Sequence, residues 1–251
     1  MRTVALLYHD VVHGEDFDSS GFPGGDANIY KLTRSRFESH LDALARVRSK
    51  FLITVDDGGV SAIDVIAPML EERAMTGYFF IPTNWIDRPG FLSKDQVRQL
   101  RHRGHLIGSH SCSHPQRISR CSWDQMRDEW QRSIDVLTGI LLEPVRMASV
   151  PGGFYSRRVA EAAALSGIRT LFTSEPVSSG SRVAGCAVAG RYMIRQSTSA
   201  QTAAALARRD ALPCASQYMA WNTKKILKRA GGTAWLRFRK WALAESRPGS
   251  S

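Results

Sequence analysis

Short apolar runs alternate with longer amphipathic segments along this chain, and the alternation constrains its fold more than any other feature. The runs at residues 4–7, 51–55, 77–81, 105–109, 145–150 and 169–173 are bounded by polar residues, glycine or proline, as strands buried on both faces are. Between them, residues 33–48, 60–73, 93–103, 122–137 and 156–166 carry apolar side chains at three- and four-residue spacing, several behind a Ser or Thr cap. Parallel neighbours need long crossovers, so strand and helix in repetition predict a mostly parallel sheet covered by helices. The 251 residues, 43% of them hydrophobic, suffice for such a core. A last strand is expected at 191–194. Residues 14–25, with four glycines, a proline and three acidic residues, read as a surface loop over one end of the sheet.

In parallel α/β folds the loops after the strands' C-terminal ends build the active site. Four features obey that rule: His9 after the first strand, Asp56-Asp57-Gly58 after the second, His110-Ser111-Cys112-Ser113-His114 after the fourth, and Pro151-Gly152-Gly153 after the fifth. Carboxylates and imidazoles are ligands for a divalent metal, and two histidines with one carboxylate leave a tetrahedral zinc a position for water. A metal so held lowers the pKa of bound water to about 7, so that a neighbouring carboxylate can take its proton. Each feature also has a plainer reading. Asp56-Asp57-Gly58-Gly59 alone reads equally as a capped strand-to-helix turn, and an isolated HxxxH pair as surface polarity. Gly104, Gly108 and Pro115 around the histidine pair place it on a strand-to-loop exit and favour the metal reading.

The motifs resemble those of a known family. Thr54-Val55-Asp56-Asp57-Gly58 is similar to T-F-D-D-G, and the run from Gly104 to Pro115 to G-H-E-I-G-S-H-T-x-x-H-P, of the polysaccharide deacetylases. These form carbohydrate esterase family 4, with its NodB-homology domain. The resemblance covers about residues 1–200 and implies a distorted, incomplete (β/α) barrel. It implies Asp56 as general base, and Asp57, His110 and His114 as ligands of a divalent metal, usually zinc.

Two departures stand beside the matches. The family's R-x-P-x-G motif appears as Ser149-Val150-Pro151-Gly152-Gly153, with serine in place of the arginine that pairs with the base. Loss of that cation predicts a higher pKa for Asp56 than in arginine-bearing relatives. The resemblance still puts an oxyanion donor at the N–H of Gly152, with Gly153 beside it, although glycines there also suit an ordinary loop. The family's C-terminal general-acid histidine is absent, since no histidine follows His114. Leu7-Tyr8-His9-Asp10-Val11 resembles the Y-H-x-V motif of one branch, which implies that His9 takes over that place. An imidazole raised by a neighbouring carboxylate can donate at neutral pH, though His9 also reads as a structural histidine. Trp85, after the third strand, is a candidate for stacking on a sugar ring, with core packing as the alternative.

Seven of the eleven net positive charges lie in residues 221–251, and residues 221–244 mix basic side chains with Trp221, Trp235 and Trp241. Such a segment suits either the surface of an anionic membrane or packing against the barrel end. Nucleic acid is not expected, because no binding motif accompanies the charge. Cys112, Cys121, Cys186 and Cys214 lack CxxC spacing and are compatible with a reducing compartment. The apolar run after Met1-Arg2 is too short for a signal peptide, and no run reaches the roughly 20 apolar residues of a membrane span. A cytoplasmic location is therefore expected.

The sequence thus predicts a deacetylase-like catalytic domain over residues 1–210 and a basic amphipathic extension over 211–251. The expected activity is metal-dependent removal of an N-acyl group, most simply acetyl, from an amino sugar. The substrate would be a glycan or glycan precursor, including a lipid-linked one at the inner face of the membrane, as in exopolysaccharide biosynthesis. An amidohydrolase acting on a small nitrogenous amide and a non-catalytic glycan-binding protein remain the alternatives.

Overall fold

The computed structural model describes residues 3–223. Most of the basic C-terminal segment, residues 224–251, lies outside the described residues.

Chain order begins with β1 (Val4–Tyr8), β2 (Val11–Val12), α1 (Gly25–Asn28), β3 (Leu32–Thr33), α2 (Arg34–Ala45) and β4 (Phe51–Val55). A π-turn at Ala62–Ile66 leads into α3 (Ala67–Glu71), followed by β5 (Gly77–Ile81), α4 (Lys94–His102), β6 (Leu106–Ser109) and α5 (Trp123–Leu141). The chain continues through β7 (Met147–Ser149), α6 (Arg157–Leu165), β8 (Thr170–Phe172), β9 (Ser181–Val183), β10 (Cys186–Ala189), β11 (Tyr192–Met193) and α7 (Ala200–Arg208). The strands and helices expected from the apolar pattern are all present, most of them shortened at their ends. Ser93 and Ser122 start α4 and α5 with capping boxes, each side chain accepting from a glutamine N–H and each backbone N–H donating to that glutamine's Oε1.

One nine-stranded sheet runs β11-β1-β4-β5-β6-β7-β8-β10-β9, parallel except for the β9–β10 hairpin. The sheet curls into a half-barrel with β11 and β9 as its free edges. That hairpin was not legible in the sequence, because Ser181–Val183 is polar and exposed and carries no apolar signal.

Helices cover the convex face, where Trp130, Phe37, Phe79, Leu41 and Leu70 are buried in the main core. The concave side is a small separate cluster of Ala5, Phe80 and Phe172, so neighbours on β5 face opposite ways. Gly108 is glycine because a Cβ there would stand 2.5 Å from the Phe80 ring and 2.9 Å from the Met147 carbonyl oxygen. The chain beyond Asp210 is helical again up to residue 223. Gln217 fastens it to the sheet edge, accepting from the Met193 N–H at 3.1 Å and donating to the Met193 carbonyl at 2.9 Å.

Because the main strands are parallel, the chain exits from β1, β4, β5, β6, β7 and β8 all lie at one end of the half-barrel.

Candidate active site

Asp56 and Asp57 are neighbours in sequence yet serve different partners, because the backbone turns left-handed at Asp57 (φ 74°) and Gly58 (φ 64°). Aspartate tolerates that region better than most side chains. Asp57 points at the histidine loop: its Oδ1 lies 3.3 Å from His110 Nε2 and 3.5 Å from His114 Nε2. One ligand atom from each of the three lies within 4.8 Å of the others, the compactness a single cation requires. Asp56 Oδ2 is 3.7 Å from the same His110 nitrogen.

The histidine loop leaves β6 through two further left-handed residues, Ser111 (φ 63°) and His114 (φ 59°). His110 Nδ1 donates to the Ser149 carbonyl at 3.0 Å, which orients the ring and turns Nε2 toward Asp57, where it can carry a proton or bind a cation. An imidazole oriented in this way is the usual form of a metal-binding histidine. Burial pulls the His110 pKa down, but the carboxylates of Asp56 and Asp57 outweigh it and the net shift is upward. Burial likewise opposes ionisation of Asp57, yet hydrogen bonds from His110 and His114 hold it well below the usual carboxylate range. A field that stabilises positive charge at His110, with one donor atom each from Asp57, His110 and His114 drawn together, fits a divalent cation held by these three residues.

Asp56 overturns one expectation from the sequence. The cation missing at Ser149 is supplied by Arg191, which enters from the β10–β11 turn and is completely buried. Its Nη1 and Nη2 reach Asp56 Oδ1 and Oδ2 at 2.7 and 2.8 Å, a bidentate pair. The remaining three N–H groups go to Thr54 Oγ1 (3.2 Å), Ser149 Oγ (2.6 Å) and the Thr173 carbonyl (3.1 Å). Ser149 Oγ in turn donates to Asp56 Oδ2 at 2.9 Å. The guanidinium lies 5.7 Å from the Phe80 ring centre and 6.0 Å from that of Phe172, which wall it from water. Burial pushes the Asp56 pKa up, but Arg191 and then His110 outweigh it, so the pKa is lowered, and the higher value than in arginine-bearing relatives expected from Ser149 loses its premise, a missing cation.

His9 follows β1 at the same end, half-buried, with its ring 5.1 Å from that of Tyr30 and its buried Nδ1 without a partner among the described residues. It shares the electrostatic environment of Asp57 and Asp56. Burial nevertheless dominates their upward pull, and Arg191 adds to the lowering, so the expected carboxylate-raised imidazole is not found. Gly152 (φ 62°) and Gly153 (φ 70°) form the turn after β7. A Cβ on Gly152 would stand 2.8 Å from the Gln116 carbonyl oxygen, which excludes a side chain there, while Gly153 is favoured by its positive φ and by Trp221 Cη2, 3.2 Å from where its Cβ would be. Trp221 thereby brings the C-terminal helix against this turn.

Trp85 is engaged in packing, not open for stacking. Phe91 at 4.9 Å and the Arg88 guanidinium at 4.7 Å lie against its indole, and its N–H donates to the Ser113 carbonyl. The ring beside the histidines is instead Phe22, 4.7 Å from His114. The loop that carries Phe22 is pinned by buried Lys31, whose ammonium donates to the carbonyls of Phe17, Ser20 and Phe22 at 2.6–2.7 Å. It is pinned again by Asp10, which accepts from Ser20 Oγ (2.6 Å) and Ser61 Oγ (2.8 Å). Neither support was legible, since a lysine and an aspartate next to a polar loop read as solvated.

A profile of the polysaccharide deacetylase family matches residues 45–171, which include the aspartate pair, the histidine loop and the glycine turn. The chain belongs to this family. A chitin deacetylase of Colletotrichum lindemuthianum is 33% identical over 89 residues, covering 33% of this chain and 36% of that protein. The chain therefore spans about a third of the length of that relative. Among solved structures, IcaB from Ammonifex degensii superposes with a TM-score of 0.66 at 22% identity, over 82% of this chain and 97% of that one. Streptococcus pyogenes deacetylase PplD in complex with acetate gives 0.64 at 16% identity, over 80% and 96%. The polysaccharide deacetylase fold, a distorted and incomplete (β/α) barrel, is thus shared, and the family's metal dependence agrees with the donor set described above.

Proposed function

We propose that this polysaccharide deacetylase removes N-acetyl groups from amino sugars of a glycan, with zinc held by Asp57, His110 and His114. The observation that carries the reading is the juxtaposition of that compact donor set with Asp56, a carboxylate held ionised by Arg191 within 3.7 Å of a ligand nitrogen. The curated relative is described as a chitin deacetylase, and chitin is a polymer of N-acetylated amino sugar.

When bound, the cation supplies Lewis acidity, lowering the pKa of water to about 7 and polarising the acyl carbonyl. The protein's residues do the rest. Asp56, aimed by its two bonds to Arg191 and by Ser149 Oγ, takes a proton from the attacking water. The turn at Gly152 and Gly153 offers backbone N–H groups to the acyl oxygen. His9 gives a proton to the departing nitrogen; burial lowers its pKa, so its protonated form is less populated but more acidic than an ordinary imidazolium. Water's oxygen ends on the acyl carbon, the C–N bond breaks, and the products are acetate and the free amine. Phe22, beside His114, flanks the substrate's path, while Trp85 braces the histidine loop.

The four cysteines are free, which supports a cytoplasmic location, and the basic, tryptophan-bearing sequence of residues 221–244 supports contact with an anionic membrane face carrying lipid-linked glycan. No described helix is long and apolar enough to cross a membrane.

Acetate release from N-acetylglucosamine oligomers by the zinc-loaded protein tests the activity. Asp56→Asn is expected to keep its zinc and lose on the order of 10² to 10⁴ in rate. Near-normal turnover by that variant, or sugar binding by the wild type without acetate release, would defeat the reading.

A further inference from the structure

The loop that carries both candidate histidine ligands is strained, with two non-glycine residues, Ser111 and His114, in the left-handed region that L side chains disfavour. Something must hold it in that shape. On one side the segment after β5 does so: the N–H groups of Thr83 and Asn84 donate to the carbonyls of Ser111 (3.2 Å) and Cys112 (2.9 Å). Those bonds use the loop's carbonyls and leave its N–H groups to be satisfied from the opposite side.

There α5 supplies a single carboxylate. Glu129 Oε2 accepts from the N–H of Cys112 at 2.9 Å and from the N–H of Ser113 at 2.8 Å, while Oε1 accepts from Ser113 Oγ at 2.5 Å. Consecutive backbone N–H groups converging beside a left-handed residue form an anion-binding nest, and here the anion is a side chain of the protein itself. The placement follows from helix geometry. Ser133, one turn further along α5, bonds Ser109 Oγ at the end of β6 at 2.6 Å, and Ser109 Oγ also accepts from the Ser111 N–H. Residues four apart share a helix face, so Glu129 falls against the loop that continues from β6. The capping box at Ser122 and the wholly buried Trp130 fix the helix that carries it.

We propose that Glu129 is the positioning residue of the metal centre: by filling the nest at Cys112 and Ser113 it holds His110 and His114 at the separation from Asp57 that a cation needs. The inference rests on the metal reading of Asp57, His110 and His114. Glu129 touches none of the three side chains and acts through the loop backbone.

Zinc affinity of the full chain, measured by competition with a chromogenic chelator well below the melting temperature, tests it. Glu129→Ala is expected to weaken binding about 10- to 100-fold, the range found when a residue that orients metal ligands is removed. Glu129→Gln keeps one acceptor for the two N–H groups and an amide for Ser113 Oγ, and should bind within a few-fold of the wild type. Should Glu129→Ala fail to fold, Glu129→Asp carries the same direction of effect, since its carboxylate is withdrawn by one methylene. A wild-type protein that binds zinc while folded Glu129→Ala binds it equally tightly overturns this inference alone. A wild type that binds no zinc overturns the metal reading as well.

Discussion

Replacing Arg191 with methionine tests the least expected feature of the site. The guanidinium is completely buried, and the Asp56 side chain is 3% exposed, so water cannot take over the lost contacts. Methionine fills much of the volume between Phe80 and Phe172 but satisfies none of five acceptor contacts. It strands a buried carboxylate with only Ser149 Oγ and leaves the Thr173 carbonyl bare. Removing one partner of such a pair costs about 3–5 kcal/mol. At about 2–4 °C per kcal/mol for a chain of this size, the melting temperature should fall by roughly 6–20 °C. Removing both charges is far milder, so Arg191→Met/Asp56→Asn should recover much of the loss, with a coupling energy of about 2–3 kcal/mol. Denaturant unfolding of the four species measures that cycle. An Arg191→Met protein within about 1 kcal/mol of the wild type, or a double variant that is simply additive, would refute the pairing. Because a displacement of Asp56 by about 1 Å can cost 10²-fold, deacetylation by Arg191→Met should fall even where the protein stays folded.

Three further outcomes follow from other parts of the molecule. His9→Ala should depress kcat on an amide much more than on an activated acetyl ester, whose leaving group needs little protonation, with zinc content unchanged; equal losses on both would assign His9 to positioning alone. His40 is buried between the Tyr8 hydroxyl (3.3 Å) and the Thr198 carbonyl (3.0 Å), and burial lowers its pKa from 6.5. The unfolded chain then takes up a proton below pH 6.5 that the folded one refuses, so stability is full above that value and declines as pH falls through the folded pKa. His40→Gln, which can keep both bonds, should flatten part of that acid slope, and an unchanged slope would exclude His40 as a contributor. Gly108→Ala should cost about 1–3 kcal/mol by overpacking against Phe80, read as a shift in the denaturant midpoint.

The sequence by itself determined the order of the main parallel strands and their crossover helices, because apolar period and cap residues are local properties, but not the β9–β10 hairpin with its exposed first strand. It also located the candidate triad and the proposed base, since Asp56, Asp57, His110 and His114 sit in short motifs whose neighbours, Gly58 and Pro115 among them, set the local turn. Tertiary structure alone decided what surrounds them. A serine at position 149 read as a lost cation, but a cation acts through space, and Arg191, 42 residues on, reaches the same carboxylate from another strand end. Trp85 read either as a sugar-stacking ring or as a packed one, and only Phe91 and Arg88 lying against its indole favour packing. His9 read as raised by carboxylates, and burial reversed the sign. No local pattern marks Glu129 or Lys31; only the packed fold brings the backbone N–H groups and carbonyls that they satisfy to their side chains. Motif residues are fixed by local backbone geometry, whereas their charge state, orientation and support come from long-range contacts that no local pattern encodes.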